Sequence, residues 1–176
     1  MDSKNVLAVI VGVIALGMVI TSAYFLIDEY SSNGGSTNGT QSVPEQEAIT
    51  DAEQDYLSTL TDHTETMGDA FTNLGILFES PQYFDDDWIL YTAVELVIIQ
   101  LVYEEVLEIS PPSSLTNIHS KFIEAMAHYN TSTYLIIQGI DYLNPSLIEQ
   151  ATTEMDIGTQ LVYETTQLIE AFYASH

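Results

Sequence analysis

Beyond residue 45 the apolar positions of this 176-residue chain recur every three or four residues, the spacing of helices that bury one stripe. The first stripe runs Ile49, Ala52, Tyr56, Leu60, His63, Met67, Ala70, Leu74 and Leu77. It predicts a long amphipathic helix over 46–79, with Pro44, Glu45 and Glu47 suiting its first turn and Ser80-Pro81 ending it. Asp85, Asp86 and Asp87 then supply an N-cap and an acidic first turn for a second helix over 88–109. That segment, WILYTAVELVIIQLVYEEVLEI, is apolar nearly all round until Glu104, so burial on one side does not account for it. Three placements are open to it: the centre of a bundle, a contact with another protomer or protein, or a second membrane span.

Ser110-Pro111-Pro112-Ser113 breaks the chain, and Ser113 or Ser114 is expected to cap a third helix that ends with Gly139 as its C′ residue. Its stripe is Leu115, His119, Phe122, Met126, Tyr129, Thr133 and Ile136. Asn144 followed by Pro145 opens a fourth helix to residue 174, with the stripe Ile148, Ala151, Met155, Gly158, Val162, Thr165, Ile169 and Phe172. No alternating run bounded by turn residues signals a strand. Connections of about four to seven residues make consecutive helices antiparallel neighbours. The predicted fold is therefore all-α: a single N-terminal transmembrane helix followed by an up-down-up-down four-helix bundle over 45–176.

The predicted anchor occupies residues 1–29. Val6 to Ile27 carries no charge over twenty-two residues, a reach of about 33 Å as a helix, which spans a bilayer. Lys4 before it and Asp28 with Glu29 after it place the N-terminus inside and everything that follows on the outer face of the cytoplasmic membrane. A cleaved signal peptide is the alternative, since Thr21-Ser22-Ala23 offers small residues to a signal peptidase; both readings export the domain. Residues 30–44 are small and polar, the composition of a flexible tether, and Asn38-Gly39-Thr40 makes Asn38 a candidate glycosylation site.

Charge narrows the partners. The chain has 26 Asp and Glu against 2 Lys and Arg, a net of -24, and Lys4 and Lys121 are its cations. Such a surface repels phosphate backbones and anionic headgroups, which excludes nucleic-acid binding and a polybasic lipid patch. Its self-repulsion is relieved in molar salt, where the screening length is about 3 Å, so the composition fits a halophilic surface protein and also an acidic secreted one. With no cysteine, disulfides, thiolate metal sites and thiol nucleophiles are excluded.

Three segments carry a resemblance. PPSSLTNIHSKFIEAMAHYN from Pro111, then GIDYLNPSLIEQA and MDIGTQLVYETTQLIEAF, resemble the helical hairpins of uncharacterised prokaryotic membrane-anchored cell-surface proteins, haloarchaeal ones among the candidates. In those, a proline-opened helix with a histidine near its start joins a second, glycine-containing helix through an Asn-Pro or Asp-Pro turn. The resemblance covers about a third of the chain and implies architecture, with no activity to carry over.

The candidate chemistry is sparse. A ferritin-like di-iron site needs Glu-x-x-His pairs, and none occurs. The nearest approach is Glu124 with His128, one turn apart, which would hold a metal only with ligands from other helices. His63 and His119 fall within apolar stripes on two helices and are the other metal or haem candidates, set against the commoner role of a hydrogen-bonded core histidine. Asp85-Asp86-Asp87 lacks the spacing of a calcium loop, and no nucleophile elbow or phosphate-cradling loop exists. The expectation is a non-enzymatic, membrane-tethered interaction or ligand-binding module without a cofactor, self-associating or meeting a protein partner through helix 88–109. The alternatives are a metal- or cofactor-binding bundle using His63 and His119, and a structural component of the cell surface.

Overall fold

The computed structural model describes residues 48–176. The expected anchor over 6–27, the tether over 30–44 and Asn38 lie outside the described residues. Those described are all-α: four helices, α1 (Asp51–Glu79), α2 (Asp86–Glu108), α3 (Thr116–Asp141) and α4 (Pro145–Ser175), with a 3-10 turn at Ser113–Leu115 and no strand.

Capping chemistry decides where the helices begin. α1 starts at Thr50, later than its apolar stripe implies, because Thr50 and Glu53 form a reciprocal capping box. The Glu53 carboxylate accepts from both the N–H and the hydroxyl of Thr50 at 2.8 Å. Asp85 caps α2 by accepting the Trp88 N–H at 2.9 Å, and Asn144 caps α4 with Pro145 in the first turn. α3 has no side-chain cap: Ser113 and Ser114 sit in the 3-10 turn that leads into it.

The end of α3 also differs from expectation. Gly139 is not the terminating residue; the helix runs on to Asp141, and Leu143 takes the left-handed conformation at φ 47°. Asn144 N–H donates to Gly139 O at 2.8 Å and Leu143 N–H to Ile140 O at 3.1 Å, the paired bonds of a Schellman ending with a leucine where glycine is usual. Gly139 serves packing instead, since a Cβ there would come 2.5 Å from Ile148 Cδ1.

Pairings across the helices set their directions. α1 and α2 are antiparallel, joined by Asn73 to Glu95 near one end and His63 to Glu105 near the other. α3 and α4 are antiparallel, with Lys121 opposite Glu164 and His128 opposite Glu154. α1 and α3 run the same way, linked by Tyr56 to His119 and, farther along, by Phe71 tilted against Tyr129 at 5.0 Å. The four helices thus alternate up and down as a bundle. α3 and α4 pack closest, because Gly158 presents bare backbone to the Tyr129 ring and Gly139 does so to Ile148.

All seven stripe residues of α3 are buried, and seven of the eight on α4, with Phe172 half-buried. In α1 Tyr56, Leu60, Met67, Ala70 and Leu74 of the expected stripe are buried and Ala52 is exposed, while Glu53, Leu57, Phe71 and Phe78 join the interior and widen the stripe to one side. Trp88 locks the α1–α2 corner, donating its indole N–H to Leu77 O at 2.9 Å and meeting the rings of Phe78 and Tyr83 edge-on. Threonines, poor helix formers because their hydroxyls compete for backbone, return those hydroxyls to the preceding turn, as Thr61, Thr72 and Thr165 do. Thr92 is the exception; its hydroxyl is buried without a partner.

Candidate functional site

The wholly apolar character of α2 resolves into two faces. Trp88, Thr92, Leu96, Ile99, Val102 and Val106 point into the bundle. On the opposite side Leu90 is 58 % exposed, Val94 47 %, Val97 48 % and Leu101 49 %. A step of four, three and four residues puts these four side chains on one line along the helix. Tyr91, Ile89 and Leu107 flank them, and Ile137 of α3 is also exposed, one turn beyond Thr133, which accepts a hydrogen bond from Gln100 of α2. Large apolar side chains exposed together along one face are the kind of surface that marks an interaction site.

No helix among the described residues is long and apolar enough to cross a membrane, so the second span considered for 88–109 is set aside. Glu95 explains part of this: it interrupts the run and takes the Asn73 amide at the α1 boundary. The bundle-centre placement is half right, since one side of α2 is core and the other is open.

The titratable residues are paired off rather than gathered. His63 Nδ1 lies 3.7 Å from Glu105 across the α1–α2 boundary. His119 is buried beside Tyr56 at 2.9 Å, and burial lowers its pKa below the ordinary imidazole value. Burial likewise raises the Tyr56 phenol, so the pair is favoured in its neutral form and shares one hydrogen bond. His63 and His119 thus have separate partners. Glu124 and His128, neighbours in sequence, also separate: Glu124 takes Lys121 at 3.1 Å, whereas His128 donates from Nδ1 to Glu154 of α4 at 2.6 Å. Lys121 bridges on to Glu164 at 3.3 Å, and the hydrogen bonds it donates to both carboxylates raise its pKa. Among the described residues no three His, Asp or Glu side chains are gathered as metal ligands would be.

One polar cluster has only half of its signal in the sequence. Where α1 begins, Glu53 is buried and accepts a hydrogen bond from the Ser114 hydroxyl as well as those from Thr50. The Ser114 bond first, then those from Thr50, hold the Glu53 carboxyl below the usual carboxylate range. The pattern Thr50-x-x-Glu53 is the visible half, but the Ser114 partner lies 61 residues away and belongs to tertiary structure. This cluster ties α1 to the entrance of α3 and is structural in its geometry. A crevice lies between Leu74 and Phe78 of α1, Ile136 of α3 and Ile148, Ala151 and Met155 of α4; it is apolar and has room for about a single water.

Compared with known proteins, the chain matches no family model, no curated protein and no solved structure. The outer face of α2 therefore stands on its own physical character as the candidate site.

Proposed function

We propose that the protein is a non-catalytic interaction module, tethered by residues 6–27 to a cytoplasmic membrane with its helical domain on the outer side, and that α2 is its docking face. The exposed line Leu90, Val94, Val97 and Leu101 carries this reading, because leaving half of four aliphatic side chains in water gains nothing for the monomer. The uncharged run over 6–27, with Lys4 before it and Asp28 and Glu29 after it, supports the tethering and its direction. The pairing of His63, His119, Glu124 and His128 with separate partners lends no support to a metal centre.

The chain has no cysteine, so a single introduced thiol reports on its own address. A Thr153→Cys variant, on the exposed side of α4, should react with a membrane-impermeant maleimide in intact cells; reaction only after lysis would refute the export. A photo-crosslinking residue at position 97 should capture a discrete adduct in the same cells while one at position 153 does not, and equal or absent capture at both would remove α2 as the docking face.

A further inference from the structure

The two ends of the α2 face say what chemistry would cover it. Continuing the line of Leu90, Val94, Val97 and Leu101 by three and then four residues reaches Glu104 and Glu108, with Glu105 beside them, and its other end opens on Asp86 and Asp87. An apolar seam of about 17 Å is thus bounded at both ends by carboxylates. Among the described residues no Lys or Arg is paired with them: Lys121, the one such residue described, is held by Glu124 and Glu164, and Glu105 alone has a partner, His63 at 3.7 Å.

In a step that rests on α2 being the docking face, we propose that its occupant is an amphipathic helix of a basic partner, with apolar residues at matching three- and four-residue spacing and Lys or Arg in the turns at both ends of that seam. The spacing is the one at which two helices interlock side chains. A second copy of this chain fits less well in either direction. Antiparallel pairing that sets Leu90 against Leu101 also sets Glu104 against Asp87, and parallel pairing sets Glu104 on Glu104 and Glu108 on Glu108. Both bring like charges together between bodies that each carry a net of -24. A basic helix turns the same acids into steering charges, and Tyr91 beside the seam offers a ring face to an arginine.

The test uses the full chain in a mild detergent and two fluorescein-labelled designed helical peptides of about 21 residues. They share a leucine and isoleucine seam and differ only in carrying Lys or Glu in their end turns. Fluorescence anisotropy at about 0.15 M salt should show the Lys peptide binding at least about tenfold tighter than its Glu twin, with the gap closing at about 1 M. Val97→Glu, and independently Leu101→Ser, should weaken the Lys peptide by about tenfold or more with the helical circular dichroism unchanged. Glu104→Gln with Glu108→Gln should narrow the gap between the twins and leave the apolar binding. Equal binding of the twins, or Lys-peptide binding indifferent to both seam variants, would overturn the proposal. So would sedimentation showing a dimer at about 0.15 M salt that Val97→Glu dissolves, since the second copy would then be the occupant. Crosslinking at position 97 tells the two failures apart: if it persists, α2 remains the docking face and only the basic partner falls.

Discussion

Replacing Gly158 by alanine sets two effects of known sign against each other. Alanine is worth about 1 kcal/mol more than glycine inside a helix, so an open site would be stabilised. Gly158 is not open: a Cβ there would lie 2.5 Å from Cε1, 2.7 Å from Cδ1 and 3.0 Å from Cζ of Tyr129. Ordinary carbon contacts are about 3.5–4.0 Å, so the overlap is on the order of 1 Å against three atoms of a rigid ring. The ring has nowhere to go. Tyr129 is fully buried, tilted against Phe71 at 5.0 Å, with its hydroxyl 3.3 Å from Thr159 on the same helix as Gly158. Overpacking costs about 1–3 kcal/mol, and three contacts against a rigid ring put this site in the upper half of that range, so Gly158→Ala should lose about 1–2 kcal/mol net of the alanine gain. Thermal unfolding of the full chain followed by circular dichroism should show a fall of about 4–10 °C. Gly139→Ala is the milder comparison, because its close neighbours are Cδ1 at 2.5 Å and Cγ1 at 2.9 Å of one flexible side chain, Ile148, and its melting point should fall less than that of Gly158→Ala. A Gly158→Ala variant as stable as wild type would refute the reasoning. So would a Tyr129→Leu background that fails to recover about 1 kcal/mol of the loss.

Leu143→Gly should stabilise by about 0.5–1 kcal/mol, because glycine removes the left-handed strain from an exposed side chain; destabilisation in urea unfolding would show that Leu143 packs more than its exposure implies. Thr92→Val should raise stability by about 1 kcal/mol, since it deletes a buried hydroxyl without a partner, and a loss of similar size would mean that the hydroxyl is satisfied. Stability should fall on acidification. His119 has its pKa lowered by burial, so its contribution is full above about pH 6.5 and fades below it; Glu53 follows at lower pH, as its depressed carboxyl takes up a proton. Relative to His119→Gln, wild type should therefore lose ground below about pH 6.5, and parallel pH curves for the two would sink that assignment. Raising potassium chloride from about 0.1 to 2 M should lift the melting point by about 5 °C or more through screening of the net charge of -24, and a flat response would remove the case for self-repulsion.

The parts of the fold that depend on neighbours along the chain are readable from the residues alone. Asp85 and Asn144-Pro145 start their helices as expected, and Leu115 through Ile136 line the core as their spacing implies. The buried face of α1 is wider than its apolar spacing implies, and it includes Glu53, a carboxylate that spacing assigns to water; its partner Ser114 arrives only when the bundle closes. Gly139 reads as a helix end because glycine is the usual left-handed residue, whereas here a leucine accepts that role and the glycine is needed against Ile148. His128 pairs with Glu154 rather than Glu124 for a related reason: the register between α3 and α4 is written in no single segment. The excess apolarity of α2 is plain in its residues, but which of them face out depends on which way Ile99 and Val106 face in.

The alternation of the helices brings the entry to α1, the start of α3 and the last turn of α4 to one end, where Glu53 joins Ser114 and Tyr56 joins His119. On the proposed reading, with the chain held from the side of residues 30–44 and a partner on α2, tension would be carried through the contacts between α1 and α2, and a load along the helix axes would slide one past the other. Contacts loaded in this way, from Asn73 and Glu95 to Phe78 and Trp88, give way together rather than unzipping one after another. The same bundle opened by a pull across its axes would part at far lower force.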